Sequence, residues 1–510
     1  MMKRALVSVS DKRGLVEFVQ GLVRNGYEIV STGGTKKTLD LAGIKTFGIS
    51  EITNFPEIMD GRVKTLHPNV HGGLLCVRDN PSHMKELLEN NIELIDMVVV
   101  NLYPFKETLK KENVTHEELI ENIDIGGPSM LRSAAKNHKF VTVCVDPSDY
   151  PNILNEIEQK NDTTIETKSR LAAKVFRHTA AYDSMISNYL TEKSGEEFPE
   201  VVTLTYEKVQ DLRYGENPHQ NAAFYKNNFV GYSLANSQQL NGKELSYNNI
   251  QDTNAALEML KEFEEPAVVA VKHMNPCGIG LGDNVYMAWE KAYSADPISI
   301  FGGIVATNRT IDEKVAEEMS KLFLEIIIAP NYTEPALEIL KAKKNLRVLK
   351  LDMNQEIKNK NKLVTIADGA LIQSMDLAKI DLKDLQCVTD IKPTEEELKE
   401  LLFAWKVVKH VKSNAIVISK NGQTLGVGAG QMNRVGSAKI ALEQAGKLSK
   451  GAVLASDAFF PMADTVELAG EYGIKAIIQP GGSIKDNLSI EECNKHGIAM
   501  VFTGTRHFKH

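Results

Sequence analysis

No apolar run in this sequence reaches the ~18 residues that a membrane-crossing helix needs. The longest runs, Met97-Val98-Val99-Val100 and Ile326-Ile327-Ile328-Ala329, are strand-sized and read as buried strands. After Lys3-Arg4 only Ala5-Leu6-Val7 precedes Ser8, Ser10, Asp11 and Lys12, too short for a secretory signal core. An excess of positive charge is also missing. Acidic side chains number 67 against 59 basic ones, a net charge of −8, which excludes a bulk electrostatic grip on nucleic acid or anionic lipid and leaves any phosphate to local sites. Aromatic residues are only 6% and form no basic-aromatic stripe, again against a nucleic-acid module. The five cysteines (Cys76, Cys144, Cys277, Cys387 and Cys493) are scattered without a CxxC pair, as free thiols of a cytoplasmic protein would be. What is present, 510 residues that are 43% apolar and 25% charged, is the composition of a multi-domain globular protein.

The first fifty residues alternate. An apolar strand at 5–8, a helix with Leu15, Phe18, Leu22 and Val23 on one face, a stop at Gly26 and a strand at 28–31 make a βαβ unit. The turn Thr32-Gly33-Gly34-Thr35 leads into a helix ending near Gly43, and strands at 97–101 and 141–145 continue the pattern of an open, doubly wound parallel sheet. A long helix is predicted over 168–190. The polar stretch 193–197 and Pro199 then suit a linker, which divides the chain into domains 1–198 and 199–510. In the second domain two stretches look alike: strand 267–271, a turn, Gly278, Gly280 and Gly282 before a helix; and strand 415–419, then Gly426, Gly428 and Gly430 before another. A duplicated α/β unit is expected. The lysine-rich runs 341–344 and 358–362 between them read as solvated surface.

Ligands of an open parallel sheet bind at the carboxyl ends of its strands, where small residues let backbone N–H groups approach an anion. Ser10-Asp11-Lys12, Ser31-Thr32-Gly33-Gly34-Thr35 and Asp124-Ile125-Gly126-Gly127-Pro128-Ser129 sit at such places and together suggest a phosphate pocket, though none is a Walker loop or GxGxxG. Taken singly, each is also an ordinary turn or helix cap. Arg62 and Lys64 in Arg62-Val63-Lys64-Thr65-Leu66-His67-Pro68 would face one side of an extended segment, either into that pocket or as an exposed strand edge. His67 and His71 have the spacing of a helical metal pair, but Pro68 and Gly72-Gly73 argue against a helix there, and no metal is expected.

These motifs carry a resemblance. Ser8-Val9-Ser10-Asp11-Lys12, the Thr-Gly-Gly-Thr turn, the Arg62–Pro68 run, Asn101-Leu102-Tyr103-Pro104-Phe105, Asp124–Pro128 and Arg132-Ser133-Ala134-Ala135-Lys136-Asn137 resemble the cyclohydrolase half of the bifunctional AICAR transformylase/IMP cyclohydrolase family of purine biosynthesis. Leu212-Arg213-Tyr214-Gly215-Glu216-Asn217-Pro218-His219-Gln220, Lys272-His273-Met274-Asn275-Pro276-Cys277-Gly278 and Thr505-Arg506-His507-Phe508 extend the likeness to the chain end. The resemblance implies an α/β protein with a methylglyoxal-synthase-like parallel-sheet domain, followed by a duplicated cytidine-deaminase-like transformylase domain. It implies formyl transfer from 10-formyltetrahydrofolate to AICAR and closure of formyl-AICAR to inosinate, in a cytoplasmic homodimer without membrane or nucleic-acid partners.

The resemblance also implies residue roles. For cyclisation, Lys136 would be the proton carrier, with Lys64, Tyr103 and Asp124 as further catalytic groups. Ser10, Asp11, Lys12, Ser31, Thr32, Gly33, Gly34, Arg62 and Thr65 would hold the nucleotide, and Asn101 and Gly126 would line the base end. A proton-carrying lysine works best when burial or neighbouring cations weaken its hold on the proton; Lys64 and Lys136 are expected side by side next to Arg62. Asp124 could equally cap a helix, and both roles can coexist. For formyl transfer, His273 would be the base and Lys272 the stabiliser of developing negative charge. Arg213, Tyr214, Gly302, Glu325, Asn414, Arg434, Phe459, Asp464, Ser483, Ile484 and Arg506 would contact AICAR or folate. Beside His273 and Cys277 the general-acid Glu and second Cys of zinc deaminases are missing, so no catalytic metal is expected. The competing reading makes the first domain a mere sensor of nucleotides; Lys64, Tyr103, Asp124 and Lys136 together weigh against it, because a sensor needs no proton-handling groups.

Overall fold

The computed structural model describes residues 2–111, 113–227, 231–357 and 360–510, and the chain divides into two compact units, Met1–Thr205 and Tyr206–His510. The division falls after Thr205 rather than at Pro199. The lysine-rich run 358–362 lies partly outside the described residues.

In the first unit five strands, β1 (Lys3–Val9), β2 (Tyr27–Ser31), β3 (Phe47–Gly48), β4 (Met97–Asn101) and β5 (Thr142–Cys144), form one parallel sheet in the order β3-β2-β1-β4-β5. The strand centres are apolar because helices cover both faces, and Leu6, Ile29, Val98 and Val143 are almost completely buried. The helix Leu15–Arg24 buries Leu15, Phe18 and Leu22 as its spacing requires, but Val23 is exposed, one step round from the buried stripe. Strand order reverses between β1 and β4, which opens a crevice at their carboxyl ends. The long helix runs over Ile165–Ser194 and ends at Gly195 in the left-handed region.

One expectation fails. Residues Pro68–Leu75 are helical, with Pro68 in the first turn, where its missing N–H is not needed, and His67 as N-cap accepting from Asn69 N–H at 3.1 Å.

The second unit is duplicated strand for strand. In the first repeat the sheet runs, in spatial order, Asn275–Leu281, Ala267–Lys272, Ile304–Thr307, Ile326–Ala329, Arg347–Lys350 and Gln238–Asn241. In the second it runs Thr424–Gly428, Ile416–Ser419, Val453–Ser456, Ala476–Gln479, Ala499–Phe502 and Gln386–Cys387. Every pairing has the same sense in both: a hairpin, an antiparallel neighbour, two parallel steps and an antiparallel edge. Side chains alternate between two faces. Val269 and Val271, with Val417 and Ala455, join the helices Tyr247–Leu260 and Glu395–Val408 in a core shared by both repeats, while Val268 and Ala270 face outward to a separate core under Val285–Ala295. Gly280 and Gly428 stand at matching places, each where a Cβ would overlap a helix carbonyl, of Ala288 and of Ser437. The two sheets meet antiparallel through their hairpins, where Ile279 N–H donates to Thr424 Oγ1 at 2.9 Å.

Candidate active site

The crevice of the first unit holds a cavity of about 590 Å³. Its walls are Ser8, Ser10 and Lys12 from β1 and the loop after it, Thr32–Thr35 after β2, Asp60–Arg62, Lys64 and Thr65 from the basic segment, Asn101 and Tyr103 after β4, Glu121, and Asp124–Gly127 at the start of the helix Gly126–Lys136.

The loops are shaped from within. Asn101 Oδ1 accepts from Ser10 N–H at 2.7 Å, Ser10 Oγ at 2.9 Å and Asp11 N–H at 2.8 Å, so this side chain builds the loop after β1. Ser8 Oγ and Thr32 Oγ1 lie 2.7 Å apart and tie the first two loops together. Asp11 points away: its carboxylate is held by Arg13, whose hydrogen bonds lower its pKa. Ser31 is buried and donates to Val7 O at 2.8 Å. Neither Asp11 nor Ser31 lines the cavity, whereas Ser8, Asp60 and Glu121, which motif reading left out, do. Arg62 pairs with Glu121 at 2.5 Å on an exposed rim.

Asp124 is the most constrained polar group here. Oδ1 accepts from Gly127 N–H at 2.8 Å, capping the helix, while Oδ2 faces Tyr103 N–H at 3.4 Å, and Asp124 N–H donates to Tyr182 Oη at 2.8 Å. Burial pushes its carboxyl above the usual range, opposed by those two N–H groups and by the Lys64 cation. Of the two expected lysines, Lys64 lines the cavity and Lys136 does not. Gly126, Gly127 and Met130 of this helix line the cavity, and exposed Lys136 closes the helix about 15 Å along the axis from Gly126 at 1.5 Å per residue.

In the second unit the expected residues fall into two edges. In the first repeat, the end of Ala267–Lys272 lies beside the starts of the next three strands, through Val271↔Ile304, Ile304↔Ile326 and Ile326↔Arg347. That register lines up Lys272, His273, Gly302 and Glu325. Lys272 Nζ donates to Phe301 O at 2.6 Å, and Glu325 is engaged by Arg347 at 2.7 Å. In the second repeat, Asn414 precedes its strand while Phe459, Asp464, Ser483, Ile484 and Arg506 follow the three parallel ones. Arg434 is buried and paired with Asp457, and Ile484 is fully exposed. The antiparallel join of the sheets brings both edges to one side of the unit, where Lys412 N–H donates to Asn275 Oδ1 at 3.2 Å. Arg213 and Tyr214 follow the strand Glu207–Leu212, with the guanidinium 5.8 Å from its neighbour's ring.

A parallel-sheet unit with a crevice at its strand ends, followed by a duplicated mixed-sheet unit, is the architecture of a two-part enzyme acting on small molecules. The MGS-like domain family matches residues 14–129 and the AICARFT/IMPCHase bienzyme family matches residues 134–444. The proteins named bifunctional purine biosynthesis protein PurH of Bacillus cytotoxicus and of Bacillus cereus (strain B4264) are each 62% identical to this chain over 511 residues, covering 100% of both sequences. The solved structure of ForH is 36% identical over 36% of this chain and 95% of its own, with a TM-score of 0.34. The chain belongs to the AICARFT/IMPCHase bienzyme family and is a bifunctional enzyme of purine biosynthesis, an AICAR formyltransferase and IMP cyclohydrolase using a formyl-folate co-substrate. Among the described residues no helix is long and apolar enough to cross a membrane.

Proposed function

We propose that cyclisation belongs to the first unit and formyl transfer to the second, and that the residues above carry them as follows. In the first unit Ser10, Lys12, Thr32, Gly33, Gly34 and Arg62 hold the phosphate and ribose of formyl-AICAR, Arg62 exchanging Glu121 for the phosphate. The carboxamide nitrogen attacks the formyl carbon and loses a proton, the oxyanion so formed is protonated to a hydroxyl, and that hydroxyl takes a second proton and leaves as water while the formamido nitrogen gives up its own proton and the ring C=N bond forms. Asp124 takes the carboxamide nitrogen's proton, its orientation set by Gly127 and Tyr103. Lys64 and the Tyr103 hydroxyl stabilise the developing oxyanion. The observation that supports this reading is the half-buried Asp124, fixed by Gly127 N–H, on the wall of a cavity otherwise built of phosphate-sized loops.

In the second unit His273 takes the proton of the weakly nucleophilic 5-amino group of AICAR as it attacks the formyl carbon of 10-formyltetrahydrofolate; the bond from that carbon to N10 then breaks, and N10 takes the proton and leaves as tetrahydrofolate. Lys272 offsets the charge that develops. Arg213, Tyr214, Gly302, Asn414, Arg434, Phe459, Asp464, Ser483, Ile484 and Arg506 hold the two substrates, and Glu325 acts through Arg347. The working form is a homodimer. Lys136, which does not line the cavity of its own chain, acts on cyclisation from the second copy.

Purified protein incubated with AICAR and 10-formyltetrahydrofolate, with tetrahydrofolate, formyl-AICAR and inosinate resolved by chromatography, tests the assignment. His273→Ala is expected to stop tetrahydrofolate release while still converting supplied formyl-AICAR to inosinate. Loss of both activities in a folded variant would refute the division of labour.

A further inference from the structure

The duplication supplies an internal control for the turn that carries His273. In both repeats the hairpin closes through two residues at positive φ: His273 and Met274 at 53° and 62°, Asn421 and Gly422 at 57° and 66°. Positive φ at both central residues is the backbone of a type I′ turn, which Asn-Gly adopts readily and His-Met does not. The second repeat thus has the residues such a turn favours, and the first does not.

Each turn is also gripped by a carboxylate from the sixth residue of the preceding helix. Asp252 of Tyr247–Leu260 accepts from Met274 N–H at 2.7 Å and from His273 N–H at 3.3 Å. Glu400 of Glu395–Val408 accepts from Gly422 N–H at 2.8 Å. Helix, carboxylate and turn recur at a constant offset of 148 residues. The contact therefore belongs to the architecture, and only in the first repeat does it act on a turn whose residues resist their conformation.

We propose that Asp252 is a positioning residue for formyl transfer: by accepting both N–H groups of the turn it holds His273 in the left-handed conformation that presents the imidazole to the substrate. This rests on the assignment of His273 as the base. Glu400, its counterpart, performs the same grip on a turn without chemistry.

Asp252→Ala lowers kcat for formyl transfer about 100-fold, the loss expected when a reacting group is misplaced by about 1 Å, with KM for AICAR and folate within about twofold. Glu400→Ala leaves kcat within about twofold while lowering Tm comparably. Adding Met274→Gly to Asp252→Ala, which copies the glycine of the second repeat, restores kcat at least tenfold, because glycine takes positive φ without help. Asp252→Asn, which keeps the side-chain volume and one acceptor, loses about tenfold and covers the case in which the alanine variant fails to fold. The proposal is overturned by full kcat in folded Asp252→Ala and Asp252→Asn, by equal loss in Glu400→Ala, or by no rescue from Met274→Gly, which would point to the Asp252 charge instead. Were His273→Ala to keep formyl transfer, the base assignment itself would fall; an inactive His273→Ala beside an active Asp252→Ala would sink only the positioning role.

Discussion

Glu262, just past the helix Tyr247–Leu260, meets Lys409 and His410, just past Glu395–Val408, with Oε1 at 2.9 Å from both Lys409 Nζ and His410 Nε2. This buried cluster fastens one repeat to the other. The hydrogen bonds and charges of His410 and Lys409 outweigh the burial of Glu262 and bring its carboxyl from 4.5 down to about 2. Converted at 1.36 kcal/mol per pKa unit, that depression stabilises the second unit by about 3 kcal/mol at neutral pH. A carboxyl depressed in the folded state contributes fully above its unfolded pKa and loses the contribution as pH falls through the folded one. Its share should thus shrink to about 1 kcal/mol at pH 3. Burial also lowers the pKa of His410, so the unfolded chain binds its proton first and stability already declines below about pH 6.5. Glu262→Gln should cost about 3 kcal/mol at pH 7, in line with leaving one member of a buried pair uncompensated, and about 1 kcal/mol at pH 3. Both tryptophans, Trp289 and Trp405, lie in the second unit, so urea unfolding followed by intrinsic fluorescence reports this unit alone. A penalty equal at the two pH values would show that the pair contributes packing and not charge.

Asp124→Asn should slow cyclisation about 100-fold, the usual share of a general acid or base, with formyl-AICAR accumulating by chromatography. Because burial raises the Asp124 carboxyl, the acid limb of the wild-type cyclisation profile should lie above the ordinary carboxylate range. That limb should vanish in the variant; its persistence would assign it to another group. Gly428→Ala places a methyl group on Ser437 O and should destabilise the second unit by about 3 kcal/mol, as overpacking does. An unchanged urea midpoint would mean that strand and helix part freely.

Local periodicity was enough to read the parallel sheet of the first unit. Strands buried on both faces carry continuous apolar runs at their centres, and β4 falls where its run of valines does. The duplicated unit was legible through glycine spacing, because Gly280 and Gly428 answer a backbone contact that recurs with the fold. Side-chain direction was not legible. Asp11 and Ser31 belong to phosphate-loop motifs, yet one turns to Arg13 and the other to Val7 O. Pro68 was misread because proline breaks a helix interior but suits its first turn. Asp252 gave no local signal at all; only alignment of the two repeats, with Glu400 opposite, picks it out.

Lys136 tests the homodimer most directly. Motif likeness places it among the cyclisation residues, while the helix Gly126–Lys136 carries it about 15 Å along its axis from Gly126 and about 9 Å beyond Met130, the last residue of this helix that lines the cavity. Lys136 is exposed at the helix end and is not among the residues that line the cavity of its own chain. On the proposed reading it acts on a second copy. Asp124→Ala and Lys136→Ala should then each be deficient in cyclisation, yet regain activity when mixed and allowed to exchange subunits. With random pairing half the dimers are mixed, and each mixed dimer has one site with both residues intact. The recovered rate should be about a quarter of wild type. Dilution below the dimer dissociation constant should abolish it. A Lys136→Ala variant with full cyclisation would remove the residue from the reaction, and loss without complementation would mean that it supports the helix of its own chain.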